Sequence, residues 1–351
     1  MASAKGSGRA RGVRSPKRDG AKGGGVFRER LGSLENELAD ELRRAGGEDE
    51  VDEGDGPLAR ATDGALDLYA RLARTVEHTS VADALAGLGS GGGDPDDFGL
   101  DPDFERALMP LLRFLYRSWW RVQIRGIEHV PSEGPVVLVA NSSGSLFAYD
   151  GAMLRMGLRE EHPGHRSVRP LLADTICDLP VVGELMSRTG GVRDSEESGR
   201  TLLRRGAVVA CFPEGAEAFG KPFHERYEIR RFVGSAFVRL ALSSGAPIVP
   251  VAIVGAEETH PVLGRLDWFA RRIGMPYLPL TPTFPLLGLG GLLPLPSRWR
   301  IEFGAPLTGL AELGLEAGND ADVVRGVSRR ARRRLQTLID GAVERRGRAF
   351  F

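Results

Sequence analysis

The sequence predicts a single α/β domain, a sheet covered by helices, set behind a long N-terminal extension. Short apolar runs alternate with helical segments between Val136 and Val254, the pattern of strands buried on both faces. The run Gly89-Ser90-Gly91-Gly92-Gly93-Asp94-Pro95 interrupts the chain before this alternation begins and marks the boundary. What remains is enough for one core of roughly 200 to 250 residues.

Residues 1–26 scatter Lys5, Arg9, Arg11, Arg14, Lys17, Arg18 and Lys22 among Gly and Ser. They lack the apolar surface that offsets chain entropy and read as a disordered basic arm. The extension over 27–100 is helical, acidic and Gly-rich. Leu31, Leu34, Leu38 and Leu42 predict a helix over 27–44, Glu48 to Glu53 an acidic linker, and a second helix follows over 58–76.

The domain is expected over 101–310. Asp101 caps a helix carrying Leu108, Leu111, Leu112, Phe114, Leu115, Tyr116, Trp119 and Trp120, with packing over the sheet preferred to a place in a membrane interface. A strand at Val136–Ala140 leads to a helix from Gly151. A second at Val208–Phe212 leads to a helix from about Val233, and Ile248–Val254 is a third strand, whose prolines suggest an entry and an edge or bulge. In the final segment, 311–351, the stretch Ala321–Arg346 is amphipathic and Arg-rich. Membrane docking and a plain solvated helix are both open for it.

Formal charge sums to +0, so no global field argues for a nucleic-acid partner. Cys177 and Cys211 form neither a disulfide framework nor a zinc spacing, which fits a reducing compartment, and no metal is expected. The N-terminus lacks the apolar core of a secretory signal. The uncharged stretch from Ile273 to Ser297 is interrupted by six prolines, so a spanning helix is not expected there. Its part from Leu278 to Leu295 reads as a loop or short hairpin that faces lipid or covers an acyl-chain groove. Arg greatly outnumbers Lys, pointing to a high-GC bacterial coding sequence, and Lys221 is the only lysine beyond the arm.

Four blocks carry the chemistry. The first is Val137-Leu138-Val139-Ala140-Asn141-Ser142-Ser143-Gly144, closing on Asp150-Gly151. The second is Gly190-Gly191-Val192-Arg193, and the third is Phe212-Pro213-Glu214-Gly215, followed by Lys221, Arg226, Tyr227 and Arg231. The fourth is Ala246-Pro247-Ile248-Val249-Pro250-Val251. In this order and spacing, over about Arg121 to Leu307, they resemble the glycerolipid (lysophospholipid) acyltransferase family.

The resemblance implies a glycerol-3-phosphate acyltransferase-like mixed sheet flanked by helices. It also implies transfer of a fatty acyl group from acyl-coenzyme A or acyl carrier protein to a glycerolipid-type hydroxyl, on the cytoplasmic face of the membrane and without a cofactor. Ser142, Asp150 and Glu214 then fall in the catalytic positions, and Asn141, Arg193, Gly215, Lys221, Arg226 and Arg231 in the substrate-binding ones. Glu214 with Arg193 and Lys221 would frame the acceptor pocket, and the Gly215 N–H would meet an anion.

One position departs from the family. Ser142 stands where the family has a His that serves as general base, and a serine hydroxyl is too weakly basic for that role. Asp150 then has no His to orient and is free to cap the helix behind it. His224 and His260 are the histidines near the blocks that would have to approach the site. A second reading therefore stands beside the enzyme: a degenerate fold that binds lipid or acyl groups without turnover.

Overall fold

A computed structural model describes residues 94–346, apart from Leu146, Pro180, 273–276 and Leu287. The expected basic arm, the helices over 27–44 and 58–76 and the acidic linker lie outside these residues. In chain order the strands are β1 Gln123–Arg125, β2 Val136–Ala140, β3 Val168–Leu172, β4 Val192–Arg193, β5 Val208–Cys211, β6 Ile248–Val254, β7 Gly264–Arg265, β8 Pro279–Leu280 and β9 Arg300–Phe303. The helices are α1 Pro102–Phe114, α2 Tyr149–Glu161, α3 Asp174–Cys177, α4 Val182–Arg188, α5 Glu196–Arg204, α6 Ala236–Ser244, α7 Asp267–Arg272 and α8 Ala321–Arg346.

The main sheet runs in the order β1-β9-β6-β2-β5-β3-β4, with β7 and β8 forming a separate antiparallel ribbon. β6, β2, β5, β3 and β4 are mutually parallel, while β9 is antiparallel to β6 and parallel to β1. The fold is thus a mixed, mainly parallel sheet flanked by helices, as expected. Since the parallel strands point the same way, the loops that follow them gather at one edge, where open α/β sheets place their ligands.

Alternation along each strand divides the core in two. Val136, Leu138, Ala140, Val208 and Ala210 face one cluster, completed by Met153, Leu154 and Leu158 of α2 and by the aromatic residues that follow α1. Val137, Val139, Val209 and Cys211 face the other, under α5, α6 and α8. The side-chain period of two in a strand makes this split unavoidable.

The helix from Asp101 forms as expected. Its capping carboxylate accepts the N–H groups of Asp103 and Phe104 at 3.0 Å, and its aromatic continuation packs inward, with Trp120 stacked on Trp299 at 4.7 Å between centroids. For α8, neither of the two sequence readings describes what forms. Val324, Val327, Ala331, Leu335, Ile339 and Ala342 are buried against the sheet, so its apolar side is core and only the Arg-rich side meets solvent. That surface is assembled from strands remote in sequence, which the helix's own pattern cannot reveal.

Pro250 corrects the edge-or-bulge reading of β6, which is a central strand paired with β2 and β9. Pro250 accepts from Gly304 N–H through its carbonyl, so its amide side faces the chain just past the end of β9. Proline forgoes only the single bond that an N–H at 250 would return to Gly304, at the very end of the β6–β9 ladder, whose register starts at Val251↔Phe303. In the proline-broken stretch, Leu278 and Phe284 are buried in a small satellite core with Ala270, whereas Leu286 is 82% exposed. The Tyr277 hydroxyl donates to Gly144 O at 2.7 Å, tying this region to the loop after β2.

Candidate active site

β2 ends at Ala140, and the next residue closes the strand rather than opening a site. Asn141 is buried, its amide donates to Ile253 O at 2.9 Å, and its carbonyl accepts Ile253 N–H at 2.7 Å. Both ends of the side chain are spent joining β2 to β6. The substrate-binding role expected for it is corrected to that of a clamp.

The loop from 142 to 148 then folds over Asp150. Gly144 sits at φ +71°, and a Cβ there would come within 2.0 Å of Ala218 O, so only glycine allows this approach. Ala148 is also left-handed, at φ +45°, immediately before α2. This costs about 1–2 kcal/mol for a residue with a Cβ. The turn delivers Asp150 into the first turn of α2, where the helix N-terminus favours negative charge.

Asp150 is buried, and its Oδ2 accepts both the N–H and the hydroxyl of Ser143 at 2.8 Å. It does not cap α2, since the capping position is Ala148 and Asp150 turns back to the loop. Its Oδ1 has no hydrogen-bond partner. Burial pushes the Asp150 carboxyl up to about 6, and the charge of Glu214 adds to the rise, against the downward pull of the two Ser143 bonds and a smaller one from the Ser142 side chain.

Glu214 is fully buried, at 0% exposure. Its Oε1 accepts Ser142 N–H at 3.2 Å and its Oε2 accepts Arg230 N–H at 2.7 Å. The carboxylate therefore holds two loops together instead of pointing into an acceptor pocket. Burial raises its pKa, opposed chiefly by the charge of Lys221.

The other basic residues also differ from expectation. Lys221 is buried against Glu257 at 3.0 Å and donates to Glu228 O at 2.9 Å. Arg193 is half exposed and donates to Asp174 and Asp178 at 2.6 Å each. Arg226 lies over the Phe223 ring at 4.4 Å and donates to Phe223 O. Arg231 is exposed. Arg193 thus lies apart from the other two, whereas Lys221, paired with Glu257, is close enough for Glu214 to feel its charge. The Gly215 N–H bonds to Phe212 O rather than to an anion, at a left-handed φ of +54°.

These elements leave a solvent-open cleft at the carboxyl ends of β2 to β5. Its polar side carries Ser142, Ser145, Asp150 and Asp194, while Leu171, Leu172, Ile176, Phe212 and Phe219 form an apolar wall. Among the described residues no group of three or more His, Cys, Asp or Glu side chains is arranged to hold a metal ion.

The acyltransferase family model matches residues 121–254, which include the whole of this cleft apart from its outer surroundings. An uncharacterized protein of Mycobacterium leprae is 44% identical over 255 residues, 71% of this chain and 69% of that one. The chain belongs to the acyltransferase family. An uncharacterized protein of Mycobacterium tuberculosis is 46% identical over 213 residues, and the alignment spans 60% of this chain and 59% of that relative. Among solved structures, a 1-acyl-sn-glycerophosphate acyltransferase from Thermotoga maritima aligns with a TM-score of 0.43 at 16% identity, over 81% of this chain and 97% of that one.

Among the described residues of this family member no histidine lines the cleft. His224 is exposed beside Glu225. His260 stacks on Tyr149, bonds Leu292 O at 2.7 Å, and is pushed down in pKa by burial. Ser143 is the serine that holds Asp150 most closely, through both its N–H and its hydroxyl, while the Ser142 side chain makes a weaker hydrogen-bond contribution. Sequence reasoning missed it because alignment on Asn141 counts forward from the strand, whereas the extra loop length is absorbed between the serines and Asp150. The doubled Ser142-Ser143 was the available signal.

Proposed function

We propose that this chain transfers an acyl group from a thioester, acyl-coenzyme A or acyl carrier protein, to the hydroxyl of a lipid acceptor, with Asp150 as the general base. The observation that carries this reading is the unpartnered Oδ1 of a buried carboxylate that lines the family's cleft. A carboxyl titrating near 6 is ionised at neutral pH yet basic enough to accept a proton from an attacking hydroxyl. In the step proposed, the acceptor O–H gives its proton to Asp150 Oδ1 as its oxygen bonds the thioester carbon. The C–S bond then breaks, and the thiolate leaves with the proton returned from Asp150. Ser143 holds the other carboxylate oxygen and so fixes the direction in which the base acts.

A lipid surface is the proposed setting. Among the described residues no helix is long and apolar enough to cross a membrane. Leu263, Trp268 and Leu286 are exposed in the region following β6, at 63%, 54% and 82%, and offer apolar contact of the kind an interface takes up.

One observation favours the second reading, lipid or acyl binding without turnover: among the described residues no imidazole lines the cleft. The test is acceptor-dependent release of free thiol from acyl-coenzyme A by the purified full chain. Release that requires both substrates supports the enzyme. Saturable binding of the acyl donor with no release at any pH between 6 and 9 supports the binding protein instead.

A further inference from the structure

We propose that Arg125, Arg300 and Arg345 form a binding site for a phosphate group where the β1–β9 edge of the sheet meets the end of α8, apart from the cleft. An anionic lipid headgroup and a soluble phosphate compound share this chemistry, and either can supply the group.

The strand register builds the site. Gln123 pairs with Arg300 and Arg125 with Glu302, and the period of two in a strand puts all four side chains on one face. It is the face that α8 covers, because Val254 and Ala252, the β6 partners of Arg300 and Glu302, belong to the cluster under that helix. The last turn of α8 then brings Arg345 to Glu302 at 2.5 Å. Arg346, beside it, is taken up by Glu258 and the Tyr227 hydroxyl.

Arg300 is the residue that points to a ligand. Its side chain is only 7% exposed, yet its Nε and Nη1 have no hydrogen-bond partner among the described residues. Nη2 donates to Gln123 at 3.1 Å, while Glu302 stands 3.7 Å from Nη1, too far for a hydrogen bond. Burial pushes the Arg300 pKa down, and the charges of Arg125, Arg345 and Arg346 add to the fall, with Glu302 opposing them. The nearby carboxylates are engaged already, Glu302 by Arg345 and Glu258 by Arg346, and Glu344, exposed in the same turn of α8, acts on Arg345. Arg300 therefore lacks both acceptors and negative charge, and a phosphate brings both. Arg125 is exposed and the Arg345 side chain is 46% exposed, so these two give the outer contacts and Arg300 the inner one.

The experiment uses the full chain and two probes. Inorganic phosphate is titrated calorimetrically with ionic strength held constant by sodium chloride. Co-sedimentation is measured with vesicles of phosphatidylcholine alone and of phosphatidylcholine mixed with phosphatidylglycerol. Arg125→Gln and Arg345→Gln alter the site, and Arg333→Gln, on the exposed side of α8, controls for diffuse charge. Saturable binding of at least one probe is expected, weakened at least about threefold by each site variant and less than about twofold by Arg333→Gln. That pattern with phosphate and no preference for phosphatidylglycerol assigns a soluble phosphate, whereas the same pattern with phosphatidylglycerol vesicles assigns a headgroup. Urea melts establish that the variants fold. Arg125→Gln, at an exposed position, decides the matter where Arg345→Gln unfolds by stranding Glu302. Binding of neither probe overturns the inference, and so does binding that the site variants leave unmoved or that Arg333→Gln weakens equally. None of these readouts involves acyl transfer, so the site stands or falls independently of the chemistry in the cleft.

Discussion

Ser143 holds Asp150 through a single oxygen: its N–H and its hydroxyl both reach Oδ2 at 2.8 Å, leaving Oδ1 without a hydrogen bond to the described residues. A carboxylate serving only to order its loop would gain from using both oxygens. The arrangement is strained in the electrostatic sense, and it makes several consequences measurable.

Asp150 should weaken the fold at neutral pH. Its folded pKa, about 6, lies above its ordinary value of 3.8, so its favourable contribution is full below about 3.8 and is lost as pH rises through about 6. Asp150→Asn keeps an acceptor oxygen for Ser143 and removes the buried charge. The substitution is expected to stabilise the protein by roughly 1–3 kcal/mol at pH 8 and to give little gain at pH 4. Urea melts at the two pH values measure this directly.

The same group sets the pH dependence of the reaction. As a base, Asp150 must be ionised, so kcat/KM should rise with pH through about 6. The two Ser143 bonds lower that pKa. Ser143→Ala removes the hydroxyl bond but not the backbone one, and should move the acid limb of the profile upward by about half a unit or more. An unmoved limb would separate Ser143 from the titration of the base.

Glu214 is predicted to act through structure. Glu214→Ala leaves the Ser142 and Arg230 N–H groups buried without their acceptor, at a cost of about 1–3 kcal/mol for each. Glu214→Gln retains one acceptor oxygen and should fall between wild type and Ala. Denaturation midpoints ordered in this way, with activity falling in the same order, match the clamp. A Glu214→Gln that folds like wild type yet loses all turnover would instead restore a direct chemical role.

The buried pair of Lys221 and Glu257 gives a prediction of opposite character. Burial is the main cause that raises Glu257 to about 7, with the Lys221 charge holding it back. Lys221→Met is expected to destabilise the protein by about 3–5 kcal/mol, because a carboxylate is left in the core with its cation removed. Combining it with Glu257→Gln should recover part of the loss, and a double-mutant cycle of thermal or chemical melts would measure the coupling.

Much of the fold was legible because some strands are pure apolar runs. Val136–Ala140 and Ile248–Val254 form with the expected ends, and Val208–Cys211 ends one residue early. β3 and β9 were not legible, for a shared physical reason. Arg169 and Pro170 interrupt β3, while Arg300 and Glu302 interrupt β9, yet all of these strand positions are buried. Arg169 is satisfied by Asp96 and Gly190 O, and Glu302 by Arg345, partners distant in the sequence.

The candidate site divides along the same line. The cleft opens where the motif strands end, and Asp150 lines it, both matters of short-range chain geometry. The roles of Asn141, Glu214, Arg193 and Lys221 are not, because each is decided by Ile253, Arg230, Asp174 or Glu257 arriving from another part of the chain.

The most direct test of the account is the turnover of Asp150→Asn beside wild type, with acyl-coenzyme A and the lipid acceptor that wild type uses, at a pH of about 8. With Asp150 as the base, wild type turns over and the variant is slower by about 10²- to 10⁴-fold while at least as stable. A stable variant within a few-fold of the wild-type rate would contradict it.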